Sequence, residues 1–217
     1  QVKFYVASTD VQNQLLKQQF KKYMGVSPKI VTIPVGSLNE LKVPGKRRKS
    51  YSLITASRLA DEKHVDWLIE AVAGAKARVP NISLDIYGKG AEEIKLKNLI
   101  AKLRCGNYVH LCGQKNLDEV YKDYEAYIAG STSEGFGLTL MEAAGSGLPI
   151  IGFDVRYGNP TFIDDGKNGY LIPVHDKMEK KERIQKLIWK RFTSILTRKR
   201  KHILRRRWKK HGKVYYK

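Results

Sequence analysis

Two glutamates bracket a glycine-rich turn in the middle of the chain. Glu134 precedes Gly135 and Gly137, and Glu142 follows them in the second turn of a helix predicted to begin at Leu138. Glycines at a strand-to-helix turn let the backbone approach a ligand closely, and the helix N-terminus offers N–H groups to an anion. The turn therefore predicts a phosphate site. Because a carboxylate repels phosphate, we interpret both glutamates as acceptors for sugar hydroxyl groups; a tight turn with solvated glutamates explains the glycines alone equally well.

A second candidate segment, 57–63, follows the predicted strand Tyr51–Ala56 and contains Arg58 and Lys63. A nucleotide diphosphate leaving group carries about two to three negative charges, which a metal or fixed cations must offset. The sequence has neither an Asp-x-Asp pair nor a cluster of His and Cys residues. We therefore expect no metal and no other cofactor, with Arg58 and Lys63 as the cations. By itself, segment 57–63 is also typical of ordinary solvated charge.

The elements around these segments predict an α/β fold. Apolar strand segments are predicted at Tyr51–Ala56, Ile82–Tyr87, Tyr108–Leu111, Ala126–Ala129, Pro149–Phe153 and Tyr170–Ile172. Helices are predicted between them at His64–Val79, Ala91–Leu103, Leu117–Tyr124 and Leu138–Ser146, with a short turn near Pro160–Ile163. Strands that are apolar throughout and alternate with amphipathic helices indicate a Rossmann-like parallel sheet with helices on both faces. Ligands of such sheets bind beyond the carboxyl ends of the strands, where both candidate segments lie.

The chain divides into three parts by composition. Residues 1–43 contain a strand, a helix opened by Asp10 and a second strand. The irregular basic stretch Gly36–Lys49, within which the boundary falls, is typical of a linker. We interpret 1–43 as the end of a first domain and 44–175 as a nucleotide-sugar-binding domain. Residues 176–217 form a basic tail, with helical spacing of apolar residues in its first half only.

The net charge of +20 is confined to two parts of the chain. Residues 1–175 contain 23 basic and 18 acidic residues, and the excess equals the five basic residues of the linker; residues 176–217 contain 18 basic and 3 acidic residues. The rest of the chain is neutral, which argues against a nucleic-acid-binding body. The sequence shows no span of about 20 apolar residues and no signal peptide. Together with only two cysteines, this predicts a cytoplasmic protein.

Several separated motifs resemble one enzyme family. They are Arg58 with Lys63, Glu134–Glu142, Gly147-Leu-Pro-Ile-Ile-Gly, His110–Tyr124 and Asp154–Pro173. The first three are similar to the donor-binding domain of retaining GT-B glycosyltransferases with an E-x7-E signature. The last two more closely resemble the bacterial protein O-GlcNAc transferases that modify serine-rich adhesins in the accessory Sec pathway; poly(glycerol-phosphate) glucosyltransferases come next. The resemblance covers about residues 1–175.

The resemblance implies metal-independent transfer of a sugar, GlcNAc from UDP-GlcNAc in the first place, with retained anomeric configuration and no enzymic nucleophile. Arg58 and Lys63 would bind the diphosphate and Glu134 the sugar hydroxyls, which places these three at the reacting centre, while Glu142 would bind the ribose. Backbone N–H groups would contact sugar and phosphate at Gly135, Phe136, Gly137, Leu138 and Thr139. The backbone would hold uracil at Gly113, Gln114 and Lys115.

The resemblance also implies partners: Ser or Thr of a serine-rich adhesin as acceptor, and a homologous companion subunit that stabilises the enzyme. Family members have a whole acceptor-side domain before the linker, whereas about 45 residues precede it here. We therefore expect this chain to bind a uridine nucleotide weakly and to transfer little or no sugar by itself.

The tail departs from the family, whose members have mixed-charge helices at this point. Three interpretations stay open. The tail would bind anionic lipid at the inner face of the cell membrane, or it would bind nucleic acid weakly through Arg205–Lys210, or it replaces the family's tail through a shifted reading frame and has no selected role. A basic nucleic-acid- or membrane-binding module is accordingly the alternative of another class.

Overall fold

A small parallel unit forms the N-terminal part of the structure. The computed structural model describes residues 5–7, 10–33, 49–118, 120–155, 158–173 and 190. In the first two of these ranges, strand β1 (Tyr5–Ala7) is followed by helix α1 (Asp10–Met24), and strand β2 (Ile30–Thr32) pairs with β1 in parallel. The predicted domain boundary at 43/44, most of the linker and, apart from Lys190, the basic tail lie outside the described residues, so the division into domains stays a prediction.

The main sheet has six parallel strands. They are β3 (Ser52–Ala56), β4 (Ser83–Tyr87), β5 (Val109–Gly113), β6 (Ala126–Ala129), β7 (Ile150–Asp154) and β8 (Gly169–Pro173), in the spatial order β5-β4-β3-β6-β7-β8. Helices α2 (Val65–Ala75), α3 (Glu93–Lys102), α4 (Leu138–Gly145) and the short α5 (Asn159–Phe162) connect them. The sheet grows to one side from β3 to β5 and to the other from β6 to β8. The carboxyl ends of β3 and β6 therefore flank the switch point at which such folds bind ligands.

Alternating side chains of the strands bury both faces of the sheet. Leu53 of β3 packs in one apolar cluster with Leu68 of α2, and the next residue, Ile54, packs in the opposite cluster with Leu140 of α4. Each such fully buried aliphatic side chain contributes roughly 1.5–3 kcal/mol to folding. The predicted Rossmann-like parallel sheet with helices on both faces is confirmed.

Glycines allow the loops at the switch point to pack backbone against backbone. A Cβ atom on Gly88, directly after β4, would lie 1.9 Å from the carbonyl oxygen of Ser57, and one on Gly90 would lie 2.1 Å from that of Leu59. The Leu59 amide also donates to the Lys89 carbonyl at 2.9 Å. Any side chain at either glycine would force apart the loops that follow β3 and β4.

The segment before β6 differs from its prediction. Instead of a helix over 117–124, the described part of the segment forms a turn and a single 3-10 turn, Tyr121–Asp123. The amides of Val120 and Tyr121 both donate to the Leu117 carbonyl. The reason is side-chain burial: the tighter turn directs Tyr121 and Tyr124 into the core below α4 and β4, a long-range preference that helical spacing of apolar residues does not reveal.

Candidate functional site

Lys63 and Glu134 form an ion pair across the switch point. The Lys63 Nζ atom lies 2.7 Å from Glu134 Oε2, and only 15% and 18% of the two side chains are exposed. Lys63 ends a 3-10 turn, Asp61–Lys63, in the loop after β3, while Glu134 belongs to the loop after β6. The two residues are predicted to bind different parts of a ligand, and the structure shows that they pair with each other.

Two further contacts tie the same two loops together. The Thr132 amide donates to the Glu62 carbonyl at 3.2 Å, and His64 Nε2 lies 3.0 Å from the Thr132 hydroxyl. The His64 ring stacks on Trp67 at 3.8 Å between centroids. His64 has φ +43°, a left-handed conformation that is costly for a residue with a Cβ. Strain of this kind persists only where its surroundings hold it in place.

Helix α4 places the remaining residues of the glycine turn. Gly137 stands before the helix at φ +83°, which favours glycine, and its carbonyl accepts from the amides of Leu140 and Met141. Phe136 is buried and packs edge-on against Phe162, whereas Leu138 is exposed. The Thr139 hydroxyl lies 3.0 Å from that of the buried Tyr127. The N-terminus of α4 is thus held at the site, and its first amides lack partners within the helix, as at any helix start.

Two residues outside the predicted set pack around the Glu134 turn. Gly158, in the loop after β7, has φ +60°, and a Cβ there would lie 2.6 Å from Glu134 Cγ. From the N-terminal unit, Gln12 Nε2 donates to the Gly135 carbonyl at 3.2 Å. Gly158 therefore supports the glutamate side chain, and α1 contacts the backbone of the same turn.

Glu142 faces a buried tyrosine. It is partly buried on α4, and its Oε2 accepts a hydrogen bond from the Tyr121 hydroxyl at 3.0 Å. Burial raises the pKa of Glu142, and the nearby Asp118 raises it too, whereas the hydrogen bond from Tyr121 lowers it. Glu142 is therefore a carboxylate whose ionised form depends on a specific donor.

Arg58 pairs with a neighbour in its own loop. Its guanidinium lies 2.9 Å from Glu62 Oε1, and 73% of the side chain is exposed. Such an exposed pair contributes little to stability, so Arg58 can exchange Glu62 for a stronger anion at small cost. The structure brings together Lys63, Glu134 and the start of α4, but it does not bring Arg58 to them.

The predicted uracil segment lies at the same edge of the sheet. Gly113 ends β5 at φ +67°, and its carbonyl accepts from the amide of Gly88, the glycine packed on Ser57. Gln114 and Lys115 follow on the exposed surface, with Lys115 Nζ 5.9 Å from the centre of the Tyr87 ring. A continuous layer of backbone contacts therefore runs from the uracil segment to the loop that carries Arg58.

Metal ligands and membrane spans can be assessed only for the described residues. Among these, no group of three or more His, Cys, Asp or Glu side chains is placed to hold a metal ion, and metal independence stays a prediction. In the same part of the chain, no helix is long and apolar enough to cross a bilayer.

Sequence reasoning missed the residues that support the site. These are Gln12, His64, Gly88, Gly90, Tyr121 and Gly158. Gly88 and Gly90 directly follow a predicted strand, which is a signal that could have been used. For Tyr121 and His64 no local pattern distinguishes a supporting residue from an ordinary core or helix-start residue.

The fold and the site together indicate the class of protein to which this chain belongs. An open parallel sheet carries Lys63, Glu134 and the N-terminus of α4 at its switch point, and this combination is typical of domains that bind a nucleotide through its phosphates. Residues 38–214 match the family described as Glycosyl transferases group 1, and the chain belongs to that family.

Comparison with individual relatives narrows the kind of glycosyltransferase that this chain is similar to. The chain is 58% identical over 173 residues, 80% of its length, to the UDP-N-acetylglucosamine–peptide N-acetylglucosaminyltransferase GtfA subunit of Streptococcus gordonii. It superposes with a TM-score of 0.89 on the pneumococcal O-GlcNAc transferase GtfA in complex with UDP and GlcNAc, at 47% identity over 99% of this chain, and with the same score on a GtfA/B complex. A poly(glycerol-phosphate) alpha-glucosyltransferase of Bacillus subtilis is 35% identical over 63% of the chain. The predicted glycosyltransferase family and GT-B-type fold are confirmed.

The chain is much shorter than these relatives. It spans 34% of the Streptococcus gordonii protein, 20% of the Bacillus subtilis protein and 42% of the pneumococcal GtfA chain.

Proposed function

We propose that this chain is the nucleotide-sugar-binding part of a retaining glycosyltransferase that takes GlcNAc from UDP-GlcNAc and transfers it to Ser or Thr of a serine-rich adhesin. The observation that carries the proposal is the Lys63–Glu134 ion pair at the switch point. It provides one cation for a diphosphate and one hydrogen-bond acceptor for sugar hydroxyls at neighbouring positions. The 58% identity to a peptide N-acetylglucosaminyltransferase subunit supports the choice of donor.

The proposed chemistry is stabilisation of a leaving group by fixed charge. Departure of UDP develops negative charge on the diphosphate, which Lys63, the N-terminus of α4 and a reoriented Arg58 would offset. Glu134, released from Lys63, would accept hydrogen bonds from sugar hydroxyls and is not assigned as a base. Glu142 would accept from the ribose, and the backbone of Gly113, Gln114 and Lys115 would hold uracil. No residue is required as nucleophile or metal ligand.

The companion subunit is supported by a relative alone, whereas the adhesin acceptor follows from the sequence resemblance together with relatives that modify a peptide. A GtfA structure carries UDP and GlcNAc, and another is described as a GtfA/B complex. We accordingly propose a homologous companion subunit. The alternative is a poly(glycerol-phosphate) glucosyltransferase, although the relative of that kind is identical to this chain at fewer positions and over a shorter part of the chain.

Calorimetric titration of the chain with UDP and with UDP-GlcNAc tests the donor assignment. We expect weak heats of binding to both, and the substitution Glu134→Gln is expected to weaken UDP-GlcNAc binding more than UDP binding. Glu93→Gln is the matched control, because Glu93 is an exposed carboxylate on α3 whose partner, Lys97, lies 2.7 Å away outside the site.

Two results would contradict parts of the proposal. If neither UDP nor UDP-GlcNAc gives heat of binding at millimolar concentration, the proposed donor site is wrong. Efficient sugar transfer by this chain alone would leave the donor site intact but would contradict the expectation that the chain is inactive without further acceptor-side structure.

A further inference from the structure

Tyr121 is a buried side chain with one polar atom, and that atom faces the proposed ribose-binding carboxylate. The residue is 1% exposed, and its hydroxyl donates to Glu142 Oε2 at 3.0 Å. The ring lies tilted against Tyr127, with 6.2 Å between ring centres. The tyrosine is therefore fixed by packing, and its hydroxyl holds one carboxylate oxygen in place.

The direction of this hydrogen bond is settled by the ionisation of its two partners. Burial raises the pKa of Tyr121, and the nearby Tyr127 and Glu142 raise it too, so the phenol keeps its proton. The bond lowers the pKa of Glu142 against the effect of burial. Tyr121 thus favours the ionised, hydrogen-bond-accepting form of Glu142 and restricts the rotation of its carboxylate.

A second tyrosine in the same turn makes a comparable bond to a different carboxylate. Tyr124 is buried, and its hydroxyl donates to Asp85 Oδ2 at 2.5 Å on β4. Asp85 also contacts His110 at 2.7 Å and is not among the residues assigned to the nucleotide. A buried tyrosine that simply needs a hydrogen-bond partner explains both bonds. The two bonds differ in the carboxylate that accepts them, since Glu142 is assigned to the ribose in the proposed function and Asp85 is assigned to no part of the nucleotide.

We propose that Tyr121 is a positioning residue that orients Glu142 toward the ribose hydroxyls and thereby sets the preference of this site for ribonucleotides. The proposal rests on the proposed function, in which Glu142 binds the ribose. A carboxylate that accepts from a ribose diol must present its oxygens in one orientation, and anchoring Oε2 from the buried side removes the competing orientations before the nucleotide arrives.

The experiment compares two ligands, UDP and 2′,3′-dideoxy-UDP, on the full chain and on its Tyr121→Phe, Tyr124→Phe and Glu142→Gln variants. Dissociation constants are measured by calorimetry and folding by thermal melting. The wild-type chain is expected to bind UDP at least about tenfold more tightly than 2′,3′-dideoxy-UDP, because the dideoxy analogue lacks the hydroxyl groups that hydrogen-bond to the charged Glu142. Tyr121→Phe and Glu142→Gln are expected to lose most of this preference by weakening UDP alone, while Tyr124→Phe keeps it.

The outcomes distinguish failure of this inference from failure of the proposed function. If wild type binds UDP and its dideoxy analogue equally well, the ribose role of Glu142 in the proposed function is wrong and the inference is overturned with it. If wild type discriminates and Tyr121→Phe discriminates equally, only the inference fails. Equal weakening of both ligands in Tyr121→Phe would show a merely structural tyrosine and would also overturn it.

Discussion

The Nζ atom of Lys63 and the Oε2 atom of Glu134 lie 2.7 Å apart, although 71 positions of the chain separate the two residues. Both side chains are largely buried, so each depends on the other for compensation of its charge. Removal of the lysine alone should therefore affect both folding and ligand binding.

Lys63→Met is expected to lower the free energy of unfolding by about 1–3 kcal/mol, because the Glu134 carboxylate loses its partner. It should also weaken UDP binding by at least about tenfold through the lost phosphate contact. Denaturant unfolding and calorimetry measure the two effects. In the double variant Lys63→Met with Glu134→Gln, stability should recover but UDP affinity should not; recovery of both would contradict a phosphate role for Lys63.

Arg58→Met should separate binding from stability. The Arg58–Glu62 pair is exposed, so its loss is expected to change the free energy of unfolding by less than about 1 kcal/mol. UDP affinity should nevertheless fall, and its dependence on salt concentration should become weaker, because one charged contact to the diphosphate is lost. Lys97→Met, which breaks a similar exposed pair on α3, is the control. Unchanged UDP affinity in Arg58→Met would remove Arg58 from the site.

His64→Gly and His64→Ala form an informative pair of variants. Both remove the ring that stacks on Trp67 and contacts Thr132, and both should weaken UDP-GlcNAc binding because one contact between the loops of Lys63 and Glu134 is lost. Only glycine relieves the left-handed backbone, so the glycine variant should be more stable than the alanine variant by roughly 1–2 kcal/mol. Thermal and denaturant unfolding compare them; an alanine variant at least as stable as glycine would contradict the strain.

Gly158→Ala should displace Glu134. The added Cβ would lie 2.6 Å from Glu134 Cγ, so the carboxylate must move. We expect the affinity gained from the sugar, measured as the ratio of UDP to UDP-GlcNAc dissociation constants, to fall while UDP binding changes little. Gly166→Ala is the matched control: Gly166 also has a positive φ, +75°, but an added Cβ there would have no atom within 4 Å. An equal effect of both substitutions would assign the loss to backbone strain.

The pH dependence of UDP binding should carry the signature of Glu142. Burial raises the pKa of this carboxyl above its ordinary value. Between the ordinary and the raised pKa, the folded protein therefore keeps a proton that the unfolded chain has released. This contribution to stability is therefore lost as pH rises through the raised pKa. The pH dependence of UDP affinity has the opposite sign, because in the proposed function the ionised carboxylate accepts hydrogen bonds from the ribose hydroxyls. UDP affinity should therefore increase from weakly acidic to neutral pH.

The phosphate of UDP titrates in the same range, so the measured quantity is the ratio of wild-type to Glu142→Gln affinity. Glu142→Gln removes the carboxyl group and leaves the titration of UDP unchanged. A ratio that stays constant between weakly acidic and neutral pH would contradict the role of Glu142.

Much of the architecture could be predicted from the sequence because it depends on local patterns. Apolar runs identified the six strands of the main sheet, and glycines before Leu138 identified the turn into α4. These features follow from burial and backbone freedom, which neighbouring residues determine. The position of Glu134 and Lys63 beyond the carboxyl ends of β6 and β3 follows from the parallel topology alone.

The direct pairing of Lys63 with Glu134 could not be predicted in the same way. It depends on how closely two loops approach, and that approach is set by Gly130, where a Cβ would lie 2.6 Å from the Lys63 carbonyl. The 3-10 turn that carries Tyr121 was mistaken for a helix for a similar reason, since the partners of its tyrosines belong to α4 and β4. Contacts of this range have no periodicity in the sequence.

Mutual neutralisation of Lys63 and Glu134 also makes the site selective against simple ions. A simple anion such as inorganic phosphate can take the lysine only by leaving the largely buried glutamate without a partner, and a simple cation has the converse difficulty. In the proposed function, a sugar nucleotide would bring a phosphate for Lys63 and hydroxyl groups for Glu134 in a single molecule. The abundant small ions of a cell would therefore be poor competitors for this site.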